Sequence, residues 1–107
     1  MGLFKKKFEK NVSRDNEFLK SYAIKVNGLL IYTDKNEKVT EELRALANDF
    51  QYTVASAKAE AKKIEKDIAK EFEALSQKFQ QPDWSEDEVI LIIRNLRRYI
   101  FEIGSLR

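Results

Sequence analysis

The sequence contains no cysteine and no histidine. Without cysteine there is no thiolate nucleophile and no disulfide, and without both residues the usual ligands of a zinc site are missing. Without histidine there is no imidazole to act as a base near neutral pH. No Gly-rich phosphate loop or nucleophile motif replaces them. We therefore expect no enzymatic activity, no cofactor and no metal site.

Turn-forming residues are also scarce, with three glycines and one proline in 107 residues. Sheets and sandwiches need many more turns than these allow. Charged residues make up 36% of the chain, against about 25% in an average domain, and Ala, Glu, Lys and Leu are frequent. These features predict an all-α fold, with one helical domain over residues 13–107 after a basic segment over residues 1–12.

Long hydrophobic runs are missing too, since no stretch reaches the 18 or so apolar residues of a membrane-spanning helix. The start, MGLFKKKF, lacks the apolar core of a signal peptide. We expect a cytoplasmic protein. The alternative places it at the inner face of the membrane, because the first residues form a short basic amphipathic pattern suited to anionic lipid. Its candidate contacts are Phe4, Lys5, Lys6, Lys7 and Phe8.

The small net charge of +2 hides a pattern along the chain. Residues 1–32 carry a balance of +4, residues 33–88 a balance of −5, and residues 89–107 a balance of +3. The two ends are therefore attracted to the middle if they fold back onto it. Exposed ion pairs are weak, so this attraction favours a topology more than it stabilises one.

The last helix has the clearest signals. Ser85 and Glu88 form a capping box, so we predict a helix over residues 85–104 with Gly104 as its stop. One apolar face follows at helical spacing: Val89, Ile93, Leu96, Ile100 and Ile103. Ile90, Leu91, Ile92 and Phe101 lie off that face. The cluster Arg94, Arg97 and Arg98 is a candidate anion contact, but the acidic middle of the chain makes a nucleic-acid partner the less favoured interpretation.

The middle of the chain, residues 36–80, contains no Gly and no Pro. Asp34 with Glu37, or Thr40, is a candidate N-cap. Apolar residues recur about every 3.6 positions from Val39 to Phe79, which predicts one long helix. Its centre, TVASAKAEA, is rich in small residues that would let two helices cross closely.

The first helix is predicted over residues 13–33. Phe18, Tyr22, Val26 and Leu29 have helical spacing. Asn27-Gly28 between two apolar runs is instead a strong hairpin signal. A lone hairpin would leave two bare edges, so we favour the helix.

Together these elements predict a long central helix with two shorter antiparallel flanking helices, a bundle resembling a coiled coil. Each half would be a two-helix hairpin with more apolar surface than it can cover. A second copy would complete it, giving a homodimer. The alternative is a compact three-helix monomer. The predicted interface residues are Val54, Ala57, Ala61, Ile64, Ile90, Leu91 and Ile92.

The function that fits this architecture is a non-enzymatic, self-associating helical protein that acts as a scaffold, adaptor or protein-binding module. The first alternative is a peripheral membrane module that uses residues 1–12. The second is a nucleic-acid-binding helical protein.

Overall fold

The computed structural model describes residues 17–106, which contain four α-helices and one 3₁₀ turn. The described part of α1 covers residues 17–28, and the 3₁₀ turn Leu29–Tyr32 continues it. Three further helices follow: α2 over Glu37–Tyr52, α3 over Ala59–Phe79 and α4 over Glu86–Ser105. No residue between 17 and 106 lies in a strand, so the all-α prediction is confirmed.

The Asn27-Gly28 pair lies in helical backbone, so the hairpin alternative is not formed. Gly28 has φ −63° and ψ −25°, whereas a two-residue hairpin turn needs positive φ. Leu19, Ala23 and Val26 are buried at helical spacing, which explains why packing on one face overrides the local turn signal. The prediction of a helix in this region is therefore confirmed over residues 17–28.

The predicted single helix over residues 36–80 is wrong, because the chain leaves the helical path at residues 53–58. Thr53 and Val54 are consecutive β-branched residues, which lose side-chain freedom in a helix. Ser56 offers a local alternative, since its Oγ accepts a hydrogen bond from the Lys58 N–H at 3.2 Å. The few helical hydrogen bonds lost here are offset by the apolar surface that α3 and α4 bury after the turn.

Contacts between the helices show that they alternate in direction. In α4, Arg97 contacts Asp49 of α2, and Glu88 contacts Lys78 of α3. Tyr22 of α1 packs against both Phe50 of α2 and Phe72 of α3.

The fold is therefore an antiparallel four-helix bundle, and it replaces the predicted three-helix arrangement. The α4 helix packs against both α2 and α3, whereas the backbones of α2 and α3 do not approach one another. These two helices accordingly occupy opposite corners of the bundle, and the loop over residues 53–58 crosses its end diagonally. The chain thus turns back on itself where the sequence predicted a straight rod.

A single chain buries most of the apolar residues that the sequence predicted a second copy would cover. Leu19 and Ile90 are buried, and Leu30 and Ile92 are half-buried. Leu91 remains 62% exposed. The fourth helix is the reason, since it provides the layer that two hairpins lacked. The homodimer therefore stays a prediction, and fewer exposed apolar residues now support it.

The helix ends agree with the sequence at one position and differ at two. Ser85 caps α4 as predicted, its Oγ accepting from the Glu88 N–H at 3.4 Å. The N-cap of α2 is Asn36, whose Oδ1 accepts from the Val39 N–H at 3.1 Å, so neither Asp34 nor Thr40 has this role. Gly104 does not stop α4, because the helix continues to Ser105.

The two ends of the bundle differ in chemistry. The apical end, where α3 turns into α4, is held by aromatic packing: Phe79 stacks on Tyr32 at 5.7 Å and meets Trp84 edge to face at 5.0 Å, measured between ring centroids. The basal end contains the loop over residues 53–58 and the C-terminal part of α4. It carries the exposed apolar side chains of Tyr52, Val54 and Phe101.

Candidate protein-binding surface

Large apolar side chains are exposed at seven positions of the part of the chain that the structure describes. They are Ile24, Ile31, Tyr32, Tyr52, Val54, Leu91 and Phe101. A single exposed apolar residue is ordinary in a soluble domain, whereas several at one place indicate an interaction surface. Three of the seven, Tyr52, Val54 and Phe101, belong to the basal end, and Tyr52 and Phe101 are each 75% exposed.

The packing of α4 against the end of α2 brings Phe101 beside Thr53, whereas Tyr52 lines a separate groove with Ala23 and Asn27 of α1. Thr53 and Phe101 line one groove of about 400 Å³, and Tyr52 and Val54 flank Thr53 in the chain. The approach is close, because a Cβ placed on Gly104 would lie 3.5 Å from the Cγ2 atom of Thr53.

Two arginines line the same groove beside Phe101. The Arg97 Nε donates to Asp49 Oδ2 at 2.7 Å, which holds this guanidinium in place. The pair is part-exposed, so we expect it to contribute no more than about 1 kcal/mol to stability. Arg98 makes no ion pair with residues 17–106, and its guanidinium lies 5.4 Å from the ring of its neighbour Tyr99.

We call the set Tyr52, Val54, Arg97, Arg98 and Phe101 the basal surface. Tyrosine, phenylalanine and arginine are enriched in protein–protein interfaces, and tyrosine and arginine recur among the residues that dominate binding energy. The composition of the basal surface is thus typical of a protein-binding site.

The structure divides the predicted interface residues among different environments. Ala61 and Ile90 are buried within the chain, and Ile64 and Ile92 are half-buried against its core. Val54, Ala57 and Leu91 are exposed. Val54 and Ala57 lie together in the basal loop, whereas Leu91 lies near the start of α4, away from them.

Sequence reasoning missed Tyr52 and Phe101 as surface residues. Phe101 had a usable signal, because it lies off the apolar face of α4 and so had no core position. Tyr52 had the same kind of signal, since it stands two residues after Phe50 and so lies on the opposite side of the helix from the apolar face.

The predicted anion contacts face carboxylates of α2 in two of three cases. Arg94 lies 3.4 Å from Glu42, and Arg97 pairs with Asp49. These ion pairs are the attraction between the basic end and the acidic middle that the charge pattern predicted. A phosphate would have to compete with both carboxylates. Nucleic-acid binding therefore stays a prediction, and Arg98 is the member of the cluster best placed to support it.

The candidate membrane contacts Phe4, Lys5, Lys6, Lys7 and Phe8 lie outside the described residues. Within residues 17–106, no helix combines the length and apolar character needed to cross a membrane. The same range holds no group of three or more carboxylates placed to bind a metal ion. Binding to a lipid surface therefore stays a prediction that depends on residues 1–12.

One ionisable group has a shifted acidity, and packing explains it. Burial raises the pKa of the Tyr22 phenol above its ordinary value of 10.0, and the negative charge of Glu73 adds to the rise. The Tyr22 ring packs against Phe18, Phe50 and Phe72, and the Lys25 ammonium lies 4.5 Å from its centroid. Tyr22 thus belongs to the junction of α1, α2 and α3 and not to the basal surface.

Comparison of the chain with protein-family models, with curated proteins and with solved structures gave no match. The fold and the basal surface are therefore the features that bear on function.

Proposed function

We propose that the protein is a non-enzymatic helical module that binds proteins, including a second copy of itself, and acts as a scaffold or adaptor. The observation that carries this proposal is the basal surface, where Tyr52, Val54 and Phe101 are exposed and Phe101 shares a groove with Arg97 and Arg98. Burying such a surface against a partner removes apolar area from water, and this is the main favourable term in most protein association.

Charge complementarity supports a partner of mixed character. Arg98 has no carboxylate partner among residues 17–106, so an acidic side chain on a binding partner would find an available guanidinium there. Asp49 lies at the same groove and is already paired with Arg97. We expect aromatic contact to provide the affinity and the arginine to orient the partner.

The test is the molar mass of the full chain after refolding at each of a series of concentrations from micromolar to submillimolar, measured by light scattering or sedimentation. The mass of one chain is 12.6 kDa, and we expect it to double as the concentration rises. Phe101→Ser should weaken this association at least about tenfold, since removal of a central interface aromatic has effects of that size.

Ile31→Ser is the matched control. It also removes a large exposed apolar side chain, but from the 3₁₀ turn at the apical end. We expect the association constant of this variant to stay within about threefold of the unaltered chain, because the effect of an interface residue is local. Equal weakening by both substitutions, or a chain that remains monomeric throughout the range, would contradict the proposal.

A further inference from the structure

We propose that two copies associate by exchanging helix pairs. In this dimer, α2, residues 53–58 and α3 form one continuous helix, and the α3–α4 pair of each chain packs against the α1–α2 pair of its partner. The inference deepens the self-association part of the proposed function, because it names the occupant and the mode of binding. Exchange of an identical element is a low-cost way to make a dimer, since it reuses contacts that the monomer already has.

The loop over residues 53–58 is compatible with a helix. It contains no Gly and no Pro, and no residue of the described chain has positive φ. The Thr53 N–H donates to the Asp49 carbonyl at 3.1 Å, which is the last hydrogen bond of α2, and the backbone turns extended at Thr53 with φ −79° and ψ 133°. Lys58, which precedes α3, provides no side-chain cap. The residue types and backbone of the loop therefore allow a helix, and the turn is held in place by the packing of Ala55 against the core and by the burial of Ser56.

The apolar spacing of the sequence passes through the loop without a change of register. Val54 and Ala57 continue the helical pattern that joins Phe50 to Ala61, yet both are exposed in the monomer. In a continuous helix they would lie on the same face as the core residues of α2 and α3. Straightening the loop thus places on one face two apolar residues that the monomer leaves in solvent.

The packing of the bundle allows the exchange. Because α2 and α3 occupy opposite corners and their backbones do not approach one another, separating them breaks no close backbone contact between them. The contacts between the two helix pairs run from α2 to α4 and from α1 to α3, such as Arg97 to Asp49 and Tyr22 to Phe72. A second copy can provide every one of these contacts in the same geometry.

The equilibrium between the monomer and the exchanged dimer then depends on the conformation of the loop and on the protein concentration. The monomer keeps the hydrogen bond from the Lys58 N–H to the Ser56 Oγ. The dimer gains helical hydrogen bonds over the loop and a crossing of two long helices at small side chains. Against this, association costs the translational and rotational entropy of one chain. We expect dimer to form when the chain refolds at high concentration and to persist on dilution, because reversal requires the helix pairs to separate.

The decisive variant is Ala59→Pro. Ala59 is the first residue of α3, where the missing N–H of proline is harmless, and Lys58 before it has φ −67° and ψ 150°, which a residue preceding proline prefers. In a continuous helix the same proline removes a hydrogen bond and its ring collides with the preceding turn. We expect the ratio of dimer to monomer after refolding to fall at least about a hundredfold.

Glu37→Pro is the matched control. It places the same residue at the first position of α2, after Asn36 in extended backbone, and away from the loop. We expect its dimer ratio to equal that of the unaltered chain within about threefold. Circular dichroism of the monomer fractions should show that both variants are folded. Equal dimer ratios for Ala59→Pro and the unaltered chain would overturn the exchange.

A distance within one chain gives an independent readout. Spin labels on cysteines at Lys38→Cys and Gln77→Cys report the separation of the start of α2 from the end of α3, and the chain has no other cysteine. In a dimer made with excess unlabelled chain, a continuous helix places these positions about 58 Å apart, at 1.5 Å per residue. A separation below about 25 Å, the width of a folded bundle with its labels, would overturn the exchange.

The two proposals fail in different ways. If Phe101→Ser weakens the dimer and Ala59→Pro does not, the copies associate through the basal surface and the exchange is wrong. If Ala59→Pro abolishes the dimer and Phe101→Ser leaves it unchanged, the exchange is supported and the basal surface is not where the copies associate. A chain that forms no dimer after refolding at any concentration contradicts both.

Discussion

Phe79 joins three parts of the bundle, and Phe79→Ala tests whether the apical end holds them together. The Phe79 side chain is 1% exposed. Its ring stacks on Tyr32, which follows α1, with an angle of 9° between the planes, and meets Trp84, which precedes α4, edge to face at 81°. Removal of this ring therefore loosens the 3₁₀ turn, α3 and the start of α4 together.

The expected loss follows from burial and from the two ring contacts. Truncation of a buried phenylalanine to alanine costs about 3–5 kcal/mol through lost transfer free energy and the cavity that remains. Each aromatic pair adds about 0.5–1.5 kcal/mol beyond its buried area, so we expect the upper half of that range. A domain of this size has a free energy of unfolding of about 5–15 kcal/mol, so the variant should be severely destabilised.

Urea unfolding monitored by the fluorescence of Trp84 is the assay, since this is the one tryptophan of the chain and it contacts Phe79 directly. Phe101→Ala at dilute concentration is the control, because Phe101 is 75% exposed and should change the free energy of unfolding by no more than about 0.5 kcal/mol. If Phe79→Ala lowers the free energy of unfolding by less than about 1 kcal/mol, the packing described here is refuted, since removal of a buried ring destabilises a protein by more than that.

Three further substitutions test local features by their free energy of unfolding. Gly28→Ala should stabilise the chain by about 0.5–1 kcal/mol, because Gly28 has helical backbone and an added Cβ meets nothing within 4 Å; destabilisation in urea would show that this backbone is not helical. Ser85→Ala should cost about 1 kcal/mol through the lost cap of α4, and Ser85→Asp, which restores an acceptor, should recover most of it; equal values for the two variants would contradict the cap. Tyr22→Phe tests pH dependence: the folded pKa of Tyr22 is raised, so its contribution is fully present below the unfolded value of 10.0 and is lost as the pH rises through the folded pKa. Between about pH 9 and 11 the unaltered chain should therefore lose more stability than the variant, and parallel curves would contradict the burial of the phenol.

The helices with strong end signals were predictable from the sequence. Ser85 with Glu88 placed the start of α4 to within one residue, and the cap is present as expected. The spacing of Leu19, Ala23 and Val26 outweighed the Asn27-Gly28 signal because three buried residues contribute more than one local turn preference. In both regions local chemistry and core packing favour the same structure, which is the condition for reading it from sequence.

The turn at residues 53–58 was not predictable, and the reason is physical. Each residue of TVASAK is acceptable in a helix, and the apolar spacing continues without interruption. The preference for turning back arises from surface that α3 and α4 bury against α1 and α2, and these contacts are distant in the chain. A periodicity argument compares neighbours a few positions apart, so it cannot detect a preference of this origin.

The basal surface depends on that same turn. Val54 lies in the loop over residues 53–58, and Phe101 meets Thr53 only because α4 runs alongside α2. Sequence reasoning could place Phe101 off the apolar face, but it could not place it beside Thr53. Only part of the candidate site could therefore be predicted from the sequence.

The measurement that tests the central claim most directly is the distance between labels at Lys38→Cys and Gln77→Cys in the monomer at low concentration. The reversal of the chain at residues 53–58 predicts a separation below about 25 Å, because the start of α2 and the end of α3 then share the apical end. A separation near 58 Å, the length of about 39 helical residues, would contradict it and show that the monomer contains one straight helix.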